Sequence, residues 1–170
     1  MKPGDWVLLQ NETCLIPECI KAAKEKGLKV AYNPAPISDS VREYPLNLVD
    51  LIFVNEVEGK ELTGSSSHNE IVSNLNRDYP NLGVVLTLGE KGVIYADKSE
   101  SISLPAFRVE AVDTTAAGDT FIGYFLASKL NGLPTRECLE IASKAAAICV
   151  TSRGAASSIP ELRVVKEYQF

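Results

Sequence analysis

The sequence predicts an α/β fold, with a mostly parallel sheet that carries helices on both faces. Short apolar segments alternate with segments of helical periodicity along the 170 residues. The apolar segments are hydrophobic at almost every position rather than at every second one, which is typical of parallel strands buried on both faces. Because no repeat, low-complexity tract or linker interrupts this alternation, we expect residues 1–170 to form a single domain.

The first half of the chain contains the clearest alternation of strands and helices. Its apolar runs predict strands at Trp6–Gln10, Lys29–Tyr32, Leu51–Val54 and Val84–Leu88. The segments between them predict helices at Leu15–Lys26, Glu56–Leu62 and His68 to about Asp78. Gly27 and Gly64 follow two of these helices and are good C-cap residues. Ser65–Ser67 are candidates to cap the start of the third helix.

The second half of the chain is dominated by two long alanine-rich helices. Extended segments are predicted first, at Val93–Ala96, Ile102–Leu104 and Phe107–Val109. Helices follow at Ala116–Leu130 and Thr135–Ser152, with a short tail helix from Pro160. Pro134 stands at the start of the second long helix, where a missing backbone N–H costs nothing.

The charge balance argues against nucleic acid and membranes as partners. Lys and Arg number 17 against 22 Asp and Glu, a net charge of −5 without any basic run. No apolar run approaches the roughly 20 residues of a membrane span. Met1 is followed by Lys2-Pro3-Gly4-Asp5 rather than by an apolar leader, so we expect no signal peptide.

The cysteines do not form a metal-binding pattern. Cys14, Cys19, Cys138 and Cys149 include no CxxC pair, and His68 is the only histidine, which argues against a structural zinc site. We therefore expect a cytoplasmic protein whose cysteines are buried free thiols.

Polar residues follow several of the predicted strands. Asn11-Glu12, Asn33, Asn55 and Thr87–Gly89 each come directly after an apolar run, and a further polar segment precedes Ala116. Ligands of parallel sheets bind at the carboxyl ends of the strands. These residues therefore mark one edge of the sheet as the candidate site.

The segment Ala111–Phe125 combines small residues, a carboxylate and the start of a helix. N–H groups in the first turn of a helix have no intrahelical partner and favour an anion, so Ala116, Ala117 and Gly118 could admit a phosphate. Asp119 would then act as a base toward a hydroxyl that attacks this phosphate. The alternative is a capped helix, with Asp113 or Thr114 as N-cap and Asp119 favourable only for its charge.

Other catalytic and nucleotide-binding patterns are missing. Gly59 and Gly64 have the Walker spacing, but Ser65 stands where the lysine would be, and no G-x-G-x-x-G is present. His68 lies in a polar stretch and is interpreted as a solvated residue at a helix start.

The segment from Asp113 to Phe121, DTTAAGDTF, closely resembles the C-terminal signature of the ribokinase-like (PfkB) sugar kinases. Four more motifs match that family in the same order: Asn33-Pro34-Ala35-Pro36, Asn55-Glu56-Val57-Glu58, Thr87–Gly92 and Gly154–Ser158. The resemblance runs from about Gly4 to Pro160 and implies the family's αβα sandwich. Many relatives carry Gly where Ala116 stands, and we expect this small difference to have no consequence.

The resemblance implies a catalytic centre for phosphoryl transfer from ATP to a sugar hydroxyl. Asp119 would be the base, and the N–H groups of Ala116, Ala117 and Gly118 would form the anion hole. Asn55 and Glu58 would act at the phosphates and at the waters of Mg²⁺. Glu12 matches a carboxylate that contacts the sugar, although it could also be an ordinary loop charge, and Glu58 could be a solvated helix residue.

The resemblance also implies a nucleotide border and a monovalent-cation loop. The residues that border the nucleotide would be Thr87, Leu88, Gly89, Glu90, Lys91 and Gly92. Ser143 would lie near the adenine, unless it only packs within its helix. The positions that match a K⁺ loop are Asp113, Thr115, Cys149, Ser152, Gly154 and Ser158.

The family's chains are longer than this one, and most of their sugar pocket and their lid precede the part that matches. We therefore expect the nucleotide-binding portion of a pentose kinase, with D-ribose as the first candidate acceptor. The alternative function is a non-catalytic nucleotide-binding module that needs a partner half for activity. An open sheet edge, and with it self-association or association with a separate N-terminal half, is expected in either case.

Overall fold

Six strands form one sheet whose spatial order is the same as their order in the chain. The computed structural model describes residues 1–170. The strands are β1 (Trp6–Gln10), β2 (Lys29–Asn33), β3 (Leu51–Asn55), β4 (Gly83–Thr87), β5 (Val93–Ala96) and β6 (Ser101–Leu104). The helices are α1 (Ile16–Glu25), α2 (Glu56–Thr63), α3 (His68–Asp78), α4 (Ala117–Leu130), α5 (Thr135–Cys149) and α6 (Leu162–Glu167).

The first four strands pair in parallel, as the sequence predicts. Gln10 lies opposite Asn33, and Asn55 lies opposite Thr87. The polar residues that follow the strands therefore gather at the carboxyl edge of the sheet. Residues Leu51–Val54 and Gly83–Leu86 are buried at consecutive positions. Successive side chains point to opposite faces, so both faces of these strands are covered.

The chain divides into two compact units. The first contains Met1–Leu88 and Ile94–Ile102, and the second contains Gly89–Val93 and Ser103–Phe170. In the first, helices α1 and α3 place Ile16, Ile20 and Ile71 in one core with the strand residues Val30, Ile52 and Val84, all of them fully buried. This core fixes the strand ends that carry the polar residues. The single-domain organisation of the chain stays a prediction.

Helices α4, α5 and α6 form the body of the second unit. Ala145, Ile148 and Val165 are buried together, with Tyr124 and Ile141 packed against them. Phe121 and Phe125 stack one turn apart within α4, with ring centroids 6.3 Å apart. Both rings are buried, so the face of α4 that follows its first turn packs into the interior of the protein.

Several boundaries differ from the sequence expectations. Residues Phe107–Val109 form no strand, and α5 ends at Cys149 rather than at Ser152. Ser67 is the N-cap position of α3, but its side chain makes no capping hydrogen bond. Ser65 instead uses its hydroxyl locally, since it donates to Glu70 and accepts the backbone N–H of Ser67.

The expectation about thiol burial is half right. Cys138 and Cys149 are buried, whereas Cys14 and Cys19 are exposed in the β1–α1 connection and the first turn of α1. None of the helices is both long and apolar enough to cross a bilayer.

Strand β1 is an edge strand and is less buried than its neighbours. It lies at the end of the strand order, and Leu8, at its centre, is 44% exposed. Strand β2, by contrast, is buried from Val30 to Asn33. One side of β1 therefore presents backbone groups that no strand of this chain pairs.

Candidate active site

Helix α4 starts from a residue in an unusual conformation. Ala116, its N-cap, has φ 61° and ψ 6° and is the only non-glycine residue of the chain with a positive φ. This left-handed conformation costs an alanine roughly 1–2 kcal/mol. The alternative in which Asp113 or Thr114 caps the helix is therefore wrong, because neither occupies the N-cap position. The difference between Ala and Gly at position 116 was expected to have no consequence. It has one, because the left-handed backbone conformation is less favourable for alanine than for glycine.

The backbone N–H groups of this turn are not equally available. Ala117 N–H donates to Thr114 O at 3.3 Å, and Thr120 N–H makes the first intrahelical bond, to Ala116 O at 2.9 Å. The predicted contribution of Ala117 to an anion hole would thus replace an existing bond. Gly118, between them, lies in the first turn, where N–H groups point out of the helix end.

Gly118 is not required by the packing of the fold. Its φ is in the ordinary range, and a Cβ built on it would meet nothing within 4 Å. A glycine in a helix is about 0.5–1 kcal/mol less favourable than alanine. Open space over an exposed helix-start backbone is what a phosphate needs for close approach, and the exposed carboxylate of Asp119 lies next to it in the chain.

Asp113 joins two loops of the second unit. Its Oδ1 accepts the backbone N–H of Thr115 at 2.9 Å, and its Oδ2 accepts that of Gly154 at 3.1 Å. The hydrogen bonds from Thr115 and Gly154 lower the pKa of Asp113 below its ordinary value. The carboxylate is therefore ionised at neutral pH and holds the loop before α4 against the loop after α5.

A second connection between the same loops passes through Cys149. Its thiol lies 3.2 Å from Ser158 Oγ, and Ser158 Oγ also lies 2.8 Å from the carbonyl oxygen of Gly154. The structure thus brings together five of the six residues predicted for a cation loop: Asp113, Thr115, Cys149, Gly154 and Ser158. Ser152, the sixth predicted residue, lies outside this hydrogen-bonded group, and it is exposed just beyond α5.

The donor set of this loop suits a hard monovalent cation better than a transition metal. The chain has no cluster of three or more His, Cys, Asp or Glu side chains that could hold a metal ion. What the loop offers is one ionised carboxylate together with hydroxyl and carbonyl oxygens. Oxygen ligands of low total charge fit K⁺ in chemical type.

Asn55 and Glu58 form a complete capping box at the start of α2. Asn55 Oδ1 accepts the N–H groups of Val57 and Glu58, each at 2.9 Å. Glu58 returns the contact, because its Oε2 accepts Asn55 N–H and its Oε1 accepts Asn55 Nδ2, both at 2.9 Å. Each residue fixes the other at the carboxyl end of β3.

Glu58 is buried, so the alternative in which it is a solvated helix residue is wrong. It is 7% exposed. Burial raises the pKa of Glu58, and the hydrogen bonds from Asn55 oppose that rise only in part. A buried carboxyl group of this kind is stabilised in its ionised form by a nearby cation, so its chemistry fits a role at Mg²⁺ or its waters.

The turn after β4 contains two glycines, and the surroundings of their Cβ positions differ. Gly92 has φ 109°, and a Cβ there would lie 2.0 Å from Leu104 O, so close backbone packing requires it. Gly89 has φ 56°, and nothing lies within 4 Å of its Cβ position. Glu90 and Lys91 are exposed between them. Gly89 therefore leaves room for a ligand, whereas Gly92 is explained by the fold.

Thr87 and Leu88 close β4 within the first unit. Thr87 lies opposite Asn55, and its hydroxyl donates to Val54 O at 3.4 Å. Leu88 is buried. The strand end thus places Thr87 beside the Asn55–Glu58 box, as the rule about carboxyl ends predicts.

Two predicted residues make no side-chain hydrogen bond with the other predicted site residues: Glu12 is exposed after β1, and Ser143 is half-buried in α5. Asn11 was predicted only as one of the polar residues at the strand ends, and its Nδ2 donates to Pro36 O at 2.6 Å and to Ser38 Oγ at 3.2 Å. Tyr44 donates to Asn11 Oδ1 at 3.2 Å. Asn11 thus ties the segment after β2 to the loop that carries Glu12. Its position directly after an apolar strand was the only feature of the sequence that pointed to this residue.

Residues 11–162 match the family described as pfkB family carbohydrate kinases. The chain belongs to this family. A ribokinase from Haemophilus influenzae is 39% identical over 97% of the chain, and a deoxyribokinase from Salmonella typhi is 32% identical over 99% of it. The crystal structure of a Cryptococcus neoformans ribokinase in complex with ADP superposes with a TM-score of 0.83 at 30% identity, covering 95% of this chain and 60% of that one.

This pfkB family chain spans little more than half the length of the relatives it matches. It covers 56% of the Haemophilus protein and 57% of the Salmonella protein. The predicted family membership and α/β fold are confirmed. The activity, the substrate and the partners concern whole proteins and are taken up as proposals.

Proposed function

We propose that the chain takes part in ATP-dependent transfer of the γ-phosphoryl group to the primary hydroxyl of a pentose such as D-ribose. The observation that carries the proposal is the start of α4. There a left-handed Ala116 and an open Gly118 precede the exposed carboxylate of Asp119 in a pfkB family chain. Such an arrangement can bind a phosphate and offer a base to the incoming nucleophile.

Asp119 acts as the base in this proposal. The hydroxyl oxygen of the sugar attacks the γ-phosphorus, the bond from that phosphorus to the β–γ bridging oxygen breaks, and the hydroxyl proton passes to the Asp119 carboxylate. The N–H of Gly118 and the positive end of α4 stabilise the charge on the phosphoryl oxygens. ADP is the leaving group.

Asn55 and Glu58 would act at the phosphates of the nucleotide and at the waters of Mg²⁺. Mg²⁺, when bound with ATP, supplies charge neutralisation at the phosphates. The Glu58 carboxylate would hold Mg²⁺ waters, and Asn55 keeps that carboxylate oriented through the capping box. The buried position of Glu58 supports this role.

The loop oxygens around Asp113 would hold K⁺ or a similar cation. Asp113, Thr115, Gly154 and Ser158 supply a carboxylate, carbonyl groups and a hydroxyl, and the Cys149 and Ser152 positions complete the set that the resemblance implies. A cation there would fix the loop that shapes the anion hole rather than join the chemistry.

The remaining assignments concern the two substrates. The turn from Thr87 to Gly92 would border the nucleotide, with the space at Gly89 as its open point, and Ser143 would lie near the adenine. Glu12 would contact the sugar. Asn11 supports that assignment, because its three side-chain hydrogen bonds hold the loop in which Glu12 lies.

An ADP-release assay tests the activity. The chain is assayed with ATP, Mg²⁺ and K⁺ and with D-ribose, 2-deoxy-D-ribose or D-fructose, alone and mixed with the unmatched N-terminal portion of the Haemophilus ribokinase. We expect ribose-dependent ADP release at least in the mixture. Folded, ADP-binding protein that releases no ADP with any sugar in either arm would overturn the kinase proposal.

The open edge of β1 supports a further proposal, that another polypeptide pairs with it. The exposed Leu8 and the outer side of β1, beyond which no strand of this chain lies, favour strand addition. Light scattering across the micromolar range should show self-association, or a complex with the added N-terminal portion. A monodisperse monomer in both samples would contradict it.

A further inference from the structure

The thiol of Cys149 lies where three segments of the second unit meet. Cys149 is the last residue of α5 and is 0% exposed. Its Sγ lies 3.4 Å from Thr120 Oγ1 in the first turn of α4 and 3.2 Å from Ser158 Oγ. A more distant contact of 3.9 Å reaches Thr115 O. These partners flank the turn that carries Asp119 and the loop that Asp113 holds.

The hydrogen-bond directions around this thiol form one consistent chain. Thr120 Oγ1 donates to Cys149 Sγ. Ser158 Oγ donates to the carbonyl oxygens of Gly154 at 2.8 Å and Ala155 at 2.7 Å. Because the single hydroxyl hydrogen of Ser158 is used there, the contact with Ser158 Oγ calls on the Cys149 S–H, which also lies within reach of Thr115 O at 3.9 Å. The order is therefore Thr120, Cys149, Ser158 and then the backbone of the 154–155 segment.

We infer that Cys149 is a positioning residue, which holds the first turn of α4 in register with the Asp113–Gly154 loop through the relay from Thr120 to Ser158. The inference rests on the proposed function in that the turn being positioned is the one assigned to the phosphate and to Asp119. Thr120 is the next residue after Asp119, and Gly154 accepts from Ser158 while it donates to Asp113. Displacement of the thiol would therefore shift both the first turn of α4 and the loop that Asp113 and Gly154 hold together.

Both partners of the thiol are buried, so its removal would have a local cost. Thr120 is 2% exposed and Ser158 is 7% exposed. Cys149→Ala would leave the Thr120 hydroxyl without an acceptor and the Ser158 hydroxyl without a donor, and neither could turn to water. Cys149→Ser keeps a group that both donates and accepts, so it should restore the relay in large part.

Cys138 provides a matched control on the same helix. It is also 0% exposed, and its thiol donates only to Leu133 O, at 3.5 Å. Cys138→Ala removes the same atom from a buried site and creates a similar cavity. It does not touch the relay.

Amide hydrogen exchange on the full chain without ligand is the primary test. The reporters are the N–H groups of Thr120, Thr115 and Gly154, which are bonded to Ala116 O, Asp113 Oδ1 and Asp113 Oδ2. We expect Cys149→Ala to speed their exchange by about tenfold or more, as loss of a buried bond implies. Cys149→Ser and Cys138→Ala should stay near the wild type at these reporters.

A second variant and a second measurement keep the inference open to refutation. Thr120→Val keeps the volume but removes the donor to the thiol, and it should reproduce the exchange pattern even if Cys149→Ala does not fold. Calorimetry with ADP and Mg²⁺ should show weaker binding in Cys149→Ala and recovery in Cys149→Ser.

The outcomes separate this inference from the proposed function. If the wild type binds no ADP, the proposed function fails, and the exchange data still decide whether the relay exists. The positioning role is overturned if the three reporters exchange no faster in Cys149→Ala and Thr120→Val than in Cys138→Ala. It is also overturned if Cys149→Ser exchanges as fast as Cys149→Ala.

Discussion

Asp113 Oδ2 accepts the backbone N–H of Gly154 at 3.1 Å, across a sequence separation of 41 residues. The loop that leads into α4 is thereby fixed to the loop that follows α5. The same carboxylate bonds the N–H of Thr115, so its shape and its charge both act at the approach to Ala116. A charged group placed there can hold a cation as well as a loop.

Replacement of Asp113 should weaken the response to monovalent cations. Asp113→Asn keeps an acceptor for one of the two N–H groups but removes the negative charge. We expect the ratio of kinase rates in potassium and sodium-only buffers to fall toward one, while Asp97→Asn, a carboxylate in the β5–β6 turn, leaves that ratio as in the wild type. Equal rates in both buffers for the wild-type protein would contradict the cation role.

Ala116→Gly should stabilise the chain. Relief of the left-handed conformation returns roughly 1–2 kcal/mol, and the added backbone freedom of glycine costs about 0.5–1 kcal/mol. The expected net gain in the free energy of unfolding by urea is about 0.5–1 kcal/mol. Ala127→Gly, at an exposed position of the same helix, should instead lose up to about 1 kcal/mol. A loss of stability in Ala116→Gly would show that its backbone is not strained.

The sequence predicted most of the secondary structure because each strand is an unbroken apolar run between turn residues. All four strands of the first half and the helices between them lie within a residue or two of the expected bounds. Phe107–Val109 was expected to be extended and forms no strand, because an extended segment becomes a strand only where a neighbour pairs with it. Such pairing is a tertiary property that no local pattern contains.

The sequence names the residues of the candidate site, but it does not show the contacts between them. The DTTAAGD segment indicated an anion turn, and the structure places the helix start there. The left-handed Ala116 could not be foreseen, because alanine is common in ordinary helix starts. The thiol relay at Cys149 joins residues far apart in the chain, and neither spacing nor periodicity carries that information.

Gly118→Ala should separate ligand binding from stability. A methyl group at this open position fills the space proposed for the γ-phosphate, so the affinity for a non-hydrolysable ATP analogue, measured by calorimetry, should fall about tenfold, equivalent to about 1.4 kcal/mol. The helix itself should not suffer, since alanine is the better helix former. Gly123→Ala is the matched control, because Gly123 is also exposed in α4 with nothing within 4 Å of its Cβ position. If the two variants bind the ATP analogue equally tightly, the γ-phosphate does not bind at this turn.

Asp97 should make stability depend on pH in acid. Burial alone would raise its pKa, but hydrogen bonds from Ser99, Tyr95 and Glu100 outweigh burial and lower the pKa to about 2. The ionised form therefore contributes stability above the ordinary pKa of 3.8, and that contribution is lost as pH falls through about 2. With solvent screening considered, Asp97→Asn should cost about 1 kcal/mol at pH 7. Urea unfolding that declines equally in both proteins between pH 4 and pH 2 would contradict this.

The most direct measurement compares turnover and ADP affinity in Asp119→Asn and the wild type, each mixed with the N-terminal portion that supports ADP release. Asparagine keeps the shape of the side chain but cannot accept the proton of the sugar hydroxyl. The account predicts a loss of turnover of about 10²–10⁴-fold. ADP affinity should be unchanged or tighter, because a negative charge beside the phosphates is removed. Unchanged turnover in Asp119→Asn, with only a small fall in melting temperature, would show that Asp119 is a helix-start carboxylate and would contradict the catalytic role of the turn.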